Sequence, residues 1–185
     1  MSSSPLVVSF VGVSGVGKTT VIEQLIPRIA AAGLRVGTVK HASHGHEVDR
    51  VGSDSWRHRQ AGAEVVLLAG ASGAVVFLAQ PSDSAPNTSL HHTASDDAMV
   101  ERLGQLVETH LVGTDVVLVE GFAPVHELLV TVARDGFGPK EPAGPRSTWL
   151  AITDAPAGVD EYGFDELDAV AARIVEEVGA RAAPE

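Results

Sequence analysis

Eight residues near the start of this 185-residue chain constrain its fold more than anything else in it. Gly12-Val-Ser-Gly-Val-Gly-Lys18-Thr19 matches the pattern G-x-x-x-x-G-K-[ST] in full. The glycines let backbone N–H groups turn inward around an anion, where a β-carbon would obstruct the turn or the phosphate. A helix opening at this loop adds its N-terminal dipole and free donors. Lys18 supplies a charge for the outer phosphates and Thr19 a hydroxyl for Mg²⁺. The context required of such a loop is present on both sides. Leu6–Val11 is a β-rich aliphatic run, and Val21, Ile22, Leu25, Ile26 and Ile29 recur at helical spacing from about Thr19 to Ala32. Gly33 is placed to end that helix, and Pro27 is expected to kink it. Leu34–Val39 reads as the next strand, completing a βαβ unit.

Strands and helices go on alternating along the chain. A short helix is expected near Asp54–Gln60. Glu64–Ala69 and Ala74–Ala79 follow as a hairpin or edge ribbon, and Pro81–Ser95 as an exposed, linker-like segment. Asp96–Leu111 suits an amphipathic helix with Met99, Leu103, Leu106 and Val107 inward. Asp115–Val119, Leu128–Ala133 and Thr148–Ile152 are strand candidates, with a Gly/Pro-rich loop over Asp135–Ser147. A closing helix is expected over Phe164–Val178, with Asp165 as its N-cap. Aromatics are only 4% of the chain, so the core must rest on aliphatic side chains, as in a parallel sheet covered on both faces. The expected fold is a three-layer α/β P-loop NTPase fold, mostly parallel, with an added ribbon, in one domain spanning residues 1–185.

Charge and cysteine usage narrow the partners. The formal net charge is −11 and only three lysines occur, Lys18, Lys40 and Lys140, with no basic stripe. Nucleic acid and anionic membranes are not expected partners. The absence of cysteine excludes disulfides and thiolate metal sites and fits a cytoplasmic protein. The six-residue apolar run before Gly12 is too short for a signal peptide or membrane span.

A phosphate-binding loop of this kind works with a carboxylate at the end of a neighbouring strand. Asp115-Val-Val-Leu-Val-Glu120-Gly121 places Glu120 at a C-terminal strand end, where open α/β sheets bind ligands. Gly121 allows a sharp turn beside it. Asp115 lies five residues of extended chain away, about 16 Å, so the two cannot share one metal. The loop Lys40–Ser55 occupies the place of a segment that senses the terminal phosphate. Lys40 is positioned to neutralise a phosphate. Asp49 and Asp54 are candidates for Mg²⁺ contact through water or for placing the nucleophile, or are ordinary loop and capping carboxylates. His41, His44 and His46 invite a transition-metal reading, against their irregular spacing.

These pieces together resemble the MobB family of molybdopterin-guanine dinucleotide biosynthesis adapters. The matching strings are GVSGVGKTT, LIPRIAAAGLRVGTVKH, VDRVGSDSWRHRQAGA, VLVEGF and ARDG, spread from about Leu6 to Asp154. The resemblance implies a GTP-binding protein of the class that includes nickel-insertion GTPases, working as a homodimer. It would assist the guanylyltransferase that joins GMP to molybdopterin, hydrolysing GTP slowly with Mg²⁺. Carried over by position, Ser14, Gly15, Val16, Gly17, Lys18, Thr19 and Thr20 wrap the phosphates, and Thr19 and Glu120 serve Mg²⁺. Asp49, also a candidate for the metal, and Asp54 lie in the switch-like stretch. The family continues its Glu-Gly-Phe with lysine; here Ala123-Pro124 follow, so that anion contact is missing unless Arg134 replaces it.

Base choice has no Asn-Lys-x-Asp motif behind it. Asp135 and Asp154, after the last two predicted strands of the sheet, are candidates to read guanine, and equally turn-forming residues beside Gly or Pro. No glutamine or arginine finger is identifiable in cis, which fits slow turnover. Two other readings remain open. A small-molecule kinase using ATP or GTP would close a cationic lid, for which Arg134, Lys140 and Arg146 are the available residues. A nickel-insertion type of metallochaperone would use the loop histidines.

Overall fold

The computed structural model describes residues 4–40, 49–63, 65–70, 73–78, 96–121, 128–137 and 148–182. The chain divides into two compact units, Met1–His41 with Ala94–Glu185, and Ala42–Thr93.

The larger unit is built on six strands: β1 (Leu6–Val11), β2 (Val36–Lys40), β5 (Val116–Glu120), β6 (Leu128–Val132), β7 (Leu150–Ile152) and β8 (Glu161–Tyr162). Their order across the sheet is β2-β5-β1-β6-β7-β8. Every neighbouring pair is parallel. The C-terminal ends of all six strands therefore lie along one edge. On that edge β1 sits where the order reverses, between β5 and β6, with β2 beyond β5. Ligands bind at such a reversal in open α/β sheets.

Three helices cover the sheet: α1 (Lys18–Ala31), α3 (Asp96–His110) and α4 (Leu167–Ala182). Leu6, Val8 and Phe10 of β1 alternate onto one face, where they meet Leu25 and Ile29 of α1 and Val170 and Ile174 of α4. Val117 and Val119 of β5 turn to the other face and pack with Leu103 and Val107 of α3. The side-chain period of two thus sorts one strand between two cores. Val116–Val119 are all buried, as a strand covered on both sides requires. Arg28 of α1 donates to Asp168 of α4 at 2.6 Å across the two helices.

Several boundaries differ from the sequence expectation for identifiable reasons. The last strand, β8, has two residues and leaves no alternation to read. The closing helix starts at Leu167 rather than near Phe164. Glu166, not Asp165, stands at its cap: its carbonyl accepts from the Ala169 and Val170 amides, and its carboxylate turns back to the Gly163 N–H at 2.7 Å. Pro27 lies inside α1, which continues past it to Ala31.

The smaller unit holds α2 (Asp54–Gln60) and an antiparallel ribbon of β3 (Val65–Gly70) and β4 (Gly73–Leu78). The predicted hairpin is therefore present. Arg59 of α2 stacks over Phe77 of β4, 5.5 Å from the ring centroid. The 81–95 segment lies outside the described residues.

Candidate functional site

The loop leaves β1 at Gly12 and enters α1 at Gly17. A β-carbon at Gly12 would run into the Val132 carbonyl oxygen at the end of β6 and against Val16. Gly15 and Gly17 have φ values of 80° and 107°, in the left-handed region that favours glycine. Gly17 is the N-cap of α1 and has no side chain with which to cap it. The first amides of the helix are left facing the loop, the arrangement that receives anions. The Lys18 ammonium lies over this loop, donating to the Gly12 carbonyl at 3.0 Å and the Val13 carbonyl at 2.8 Å. Ser14, Gly15 and Thr20 are exposed around it, whereas Val16 is buried and roots the loop in the core.

Strand parity delivers the carboxylate. Val116, Leu118 and Glu120 share the face of β5 that points to α1, in register with Leu6, Val8 and Phe10 of β1. Glu120 therefore meets Thr19 in the first turn of α1, whose hydroxyl lies 2.9 Å from each carboxylate oxygen. Lys40 pairs with Glu120 in the β2–β5 register, so its side chain emerges on the same face. Its ammonium lies 3.4 Å from Glu120 Oε2 and 3.3 Å from Thr19 Oγ1. A cation already rests against two hard oxygen donors. That donor chemistry fits Mg²⁺, which takes one or two protein oxygens and completes its shell with water and phosphate. Gly121, with φ 84°, turns the chain away after Glu120 as expected.

Asp115, at the other end of β5, is structural. Its carboxylate accepts the Arg35 backbone N–H at 2.7 Å and tethers the start of β5 to the residue before β2. These hydrogen bonds from Arg35 hold its pKa below the ordinary carboxylate value.

Asp135 and Asp154 are brought together. The Asp135 N–H donates to Asp154 Oδ2 at 2.9 Å, and Arg134 Nε lies 3.7 Å from Asp154 Oδ1. Arg134 also stacks on Phe164, 4.0 Å from the ring centroid. Phe164 carried no functional signal in the sequence, because its partner lies thirty positions away on another loop.

Asp49 and Asp54 belong to the smaller unit. Asp49 accepts from Ser53 Oγ at 2.9 Å, Ser55 Oγ at 2.8 Å and Arg59 Nε at 3.2 Å. Burial works against its charge, but the two serines and the Arg59 guanidinium outweigh that and lower its pKa. Asp49 is thus the anchor around which the N-terminus of α2 forms, and any metal-directed role requires its release from these donors. Asp54 is exposed in the first turn of α2, 3.9 Å from Arg57. Ser53 provides the cap by accepting from the Trp56 N–H at 3.1 Å.

His41, His44 and His46, and the lid cations Lys140 and Arg146, lie outside the described residues. Among the described residues no three His, Cys, Asp or Glu side chains cluster as a metal site. No helix among them is long and apolar enough to cross a membrane.

A parallel sheet whose first strand delivers a glycine loop to a helix N-terminus, with a carboxylate on the adjacent strand end, defines a P-loop NTPase fold. The family model described as molybdopterin guanine dinucleotide synthesis protein B (MobB) matches residues 7–155. The chain is 30% identical over 162 residues to the molybdopterin-guanine dinucleotide biosynthesis adapter protein of Escherichia coli K12, covering 86% of this chain and 85% of that one. It is 36% identical over 121 residues to the Haemophilus influenzae protein of the same name, covering 64% and 59% respectively. This chain belongs to the MobB family. Two solved structures share the fold. One is a crystal structure of molybdopterin-guanine biosynthesis protein B (TM-score 0.64, 23% identity, 93% of this chain and 99% of that one). The other is Bacillus subtilis MobB (TM-score 0.59, 24% identity, 94% and 97%).

Proposed function

We propose that this protein is a GTP-binding adapter in molybdopterin-guanine dinucleotide biosynthesis, assisting attachment of GMP to molybdopterin and hydrolysing its bound GTP slowly with Mg²⁺. One observation carries the nucleotide reading: Thr19 and Glu120 converge beside a glycine-rich loop whose lysine lies over its carbonyls. The adapter reading comes from the relatives, two of which bear the name of adapter proteins for that pathway.

Each residue has an assigned part. The amides of Ser14–Thr20 cradle the phosphates, and Lys18 moves from the loop carbonyls to the bridging and terminal phosphate oxygens. Thr19 offers its hydroxyl oxygen to Mg²⁺, and Glu120 accepts a hydrogen bond from the Thr19 hydroxyl, which fixes its orientation. Mg²⁺, when bound, neutralises charge on the outer phosphate oxygens. Glu120 also orients the water that attacks. Asp154 is committed to Arg134 and to the Asp135 N–H. We therefore assign recognition of the guanine N1–H and amino group to Asp135.

The partners we propose are the guanylyltransferase of this pathway and a second copy of the chain. The ribbon supports the second of these. Val65, Leu67 and Val76 share one of its faces and are 59%, 63% and 49% exposed, an apolar surface without a polar residue between them.

The deciding experiment titrates GTP, ATP and CTP in parallel, with and without Mg²⁺. GTP is expected to bind best and to need Mg²⁺ for full affinity. Binding of ATP without GTP would reject the proposal. In Lys18→Ala, loss of charge-assisted contacts worth about 1.5–3 kcal/mol should weaken GTP roughly ten- to hundredfold.

A further inference from the structure

Arg134 leaves β6 two residues after its end, on the edge of the sheet where the strand ends gather. Its guanidinium is held from two directions and faces the phosphate loop in a third. The flat face lies on Phe164, just before α4. The Nε edge faces Asp154, just after β7, at 3.7 Å. The remaining end, Nη2, lies 4.0 Å from the point where a β-carbon on Gly17 would stand. Gly17 is the N-cap of α1 and contributes to the phosphate loop.

We propose that Arg134 is a second cationic ligand of the nucleotide, directed from the loop rim at the α- and β-phosphates. This rests on the nucleotide-binding reading above and extends it to a residue outside the G-x-x-x-x-G-K-[ST] motif.

Geometry and charge both support the assignment. Phe164 and Asp154 occupy one face and one edge of the guanidinium, which leaves the Nη2 end toward Gly17. The pair with Asp154 is half open to water, with side chains 43% and 35% exposed, and such pairs contribute only about 0–1 kcal/mol. It orients the guanidinium without cancelling its field. A cation already fixed by stacking and an ion pair loses little side-chain freedom when a ligand arrives. The chain carries a net charge of −11, so a triphosphate approaches against a repulsive field and local cations have to offset it. The choice of phosphates follows from position. Loop amides of this type serve the α- and β-phosphates, whereas the motif lysine reaches the β- and γ-phosphates. Lysine would replace Arg134 only in part, keeping the charge but lacking the flat face for Phe164 and the rigid fork that reaches Asp154 and a phosphate together.

The test measures dissociation constants for GTP and GDP with Mg²⁺ at several salt concentrations, using the full chain, Arg134→Gln and Arg134→Lys. Arg134→Gln is expected to weaken GTP and GDP by the same factor, about tenfold, the size of one charge-assisted hydrogen bond. Its affinities should also depend less on salt than those of the unaltered chain, because one cation has left the site. A purely structural role would not flatten that dependence. Arg134→Lys should weaken both nucleotides equally and by less. Unchanged affinities in either folded variant overturn the inference, as does a loss confined to GTP, which would place the contact on the γ-phosphate. If Arg134→Gln does not fold, the equal loss in Arg134→Lys decides. An unaltered, folded chain that binds neither nucleotide refutes the nucleotide reading itself. An unaltered chain that binds both, beside an Arg134→Gln that matches it, refutes only the part given to Arg134.

Discussion

Thr19 and Glu120 stand 101 residues apart in sequence, yet the Thr19 hydroxyl lies 2.9 Å from both oxygens of the Glu120 carboxylate. The contact joins the first turn of α1 to the end of β5, and Lys40 reaches it from the end of β2. If Glu120 orients Thr19 and the attacking water, removing its charge should affect chemistry more than binding. Glu120→Gln keeps the size and one acceptor oxygen. We expect GTP affinity within about fivefold of the unaltered chain and single-turnover hydrolysis slowed at least tenfold, in line with loss of a positioned general base or water-orienting group. Equal loss in binding and turnover would assign Glu120 to holding the strand ends together instead.

Gly12 gives a prediction that does not depend on any ligand. Its φ is 154°, and an added β-carbon would meet the Val132 carbonyl, a backbone atom that cannot swing aside, as well as the Val16 side chain. Gly12→Ala should destabilise the fold by about 1–3 kcal/mol, the usual cost of forced overpacking in a closed site. Gly33→Ala provides a contrast. Gly33 has φ 85° but open space around its β-carbon position, so only backbone strain opposes the change. Thermal unfolding of both variants measures the difference, and equal effects would mean that the Val132 contact does not constrain the loop.

What the sequence made legible was local. The phosphate loop, Glu120 at its strand end and the α2 boundaries all follow from residues within one or two elements of each other. Parity within Val116–Glu120 fixes which side chains share a face with Glu120, and the pairing of β5 with β1 then brings that face to the helix that carries Thr19. The hidden parts depend on distant partners. Lys40 pairs with Glu120 only because β2 and β5 become neighbours in the sheet, a choice that no short pattern encodes. Arg134 was visible only as a cation in search of a role, since Phe164 and Asp154, which orient it, come from two other connections. The Asp165 cap failed because α4 begins only at Leu167, which puts the Glu166 carbonyl at its first turn and leaves the Glu166 carboxylate to accept from the Gly163 amide. The donors around Asp49 were hidden because serines do not reveal in sequence that they will fold back onto a carboxylate.

That serine-lined carboxylate has a pH signature. The folded pKa of Asp49 lies below its ordinary value, against the effect of burial, through hydrogen bonds from Ser55 and Ser53 and the Arg59 charge. A lowered folded pKa means that the ionised form contributes stability fully above the ordinary carboxylate range, and that this is lost as pH falls through the folded value. Asp49→Asn should therefore lower the unfolding midpoint at neutral pH, where Arg59 loses its counter-charge. The gap from the unaltered chain should narrow in strong acid, once Asp49 of the unaltered chain is protonated and as uncharged as the substituted side chain. A gap that stays constant across the titration would show that the Arg59 pair adds nothing to the stability of α2.

The ribbon carries the last prediction, concerning assembly. A two-stranded sheet alone is at best marginally stable in water, and among the described residues no further strand lies beside the outer edges of β3 and β4. Leu67 and Val76 are cross-strand partners on one face, both largely exposed, with Val65 beside them. If a second copy covers that face, Leu67→Lys should desolvate a charge in the contact and drive the protein to monomer at micromolar concentration. Val159→Lys serves as control, since Val159 is 92% exposed on the larger unit. Sedimentation velocity reads the outcome directly. A dimeric Leu67→Lys variant would remove this face from the interface, and an unaltered chain that sediments as a monomer would remove the homodimer itself.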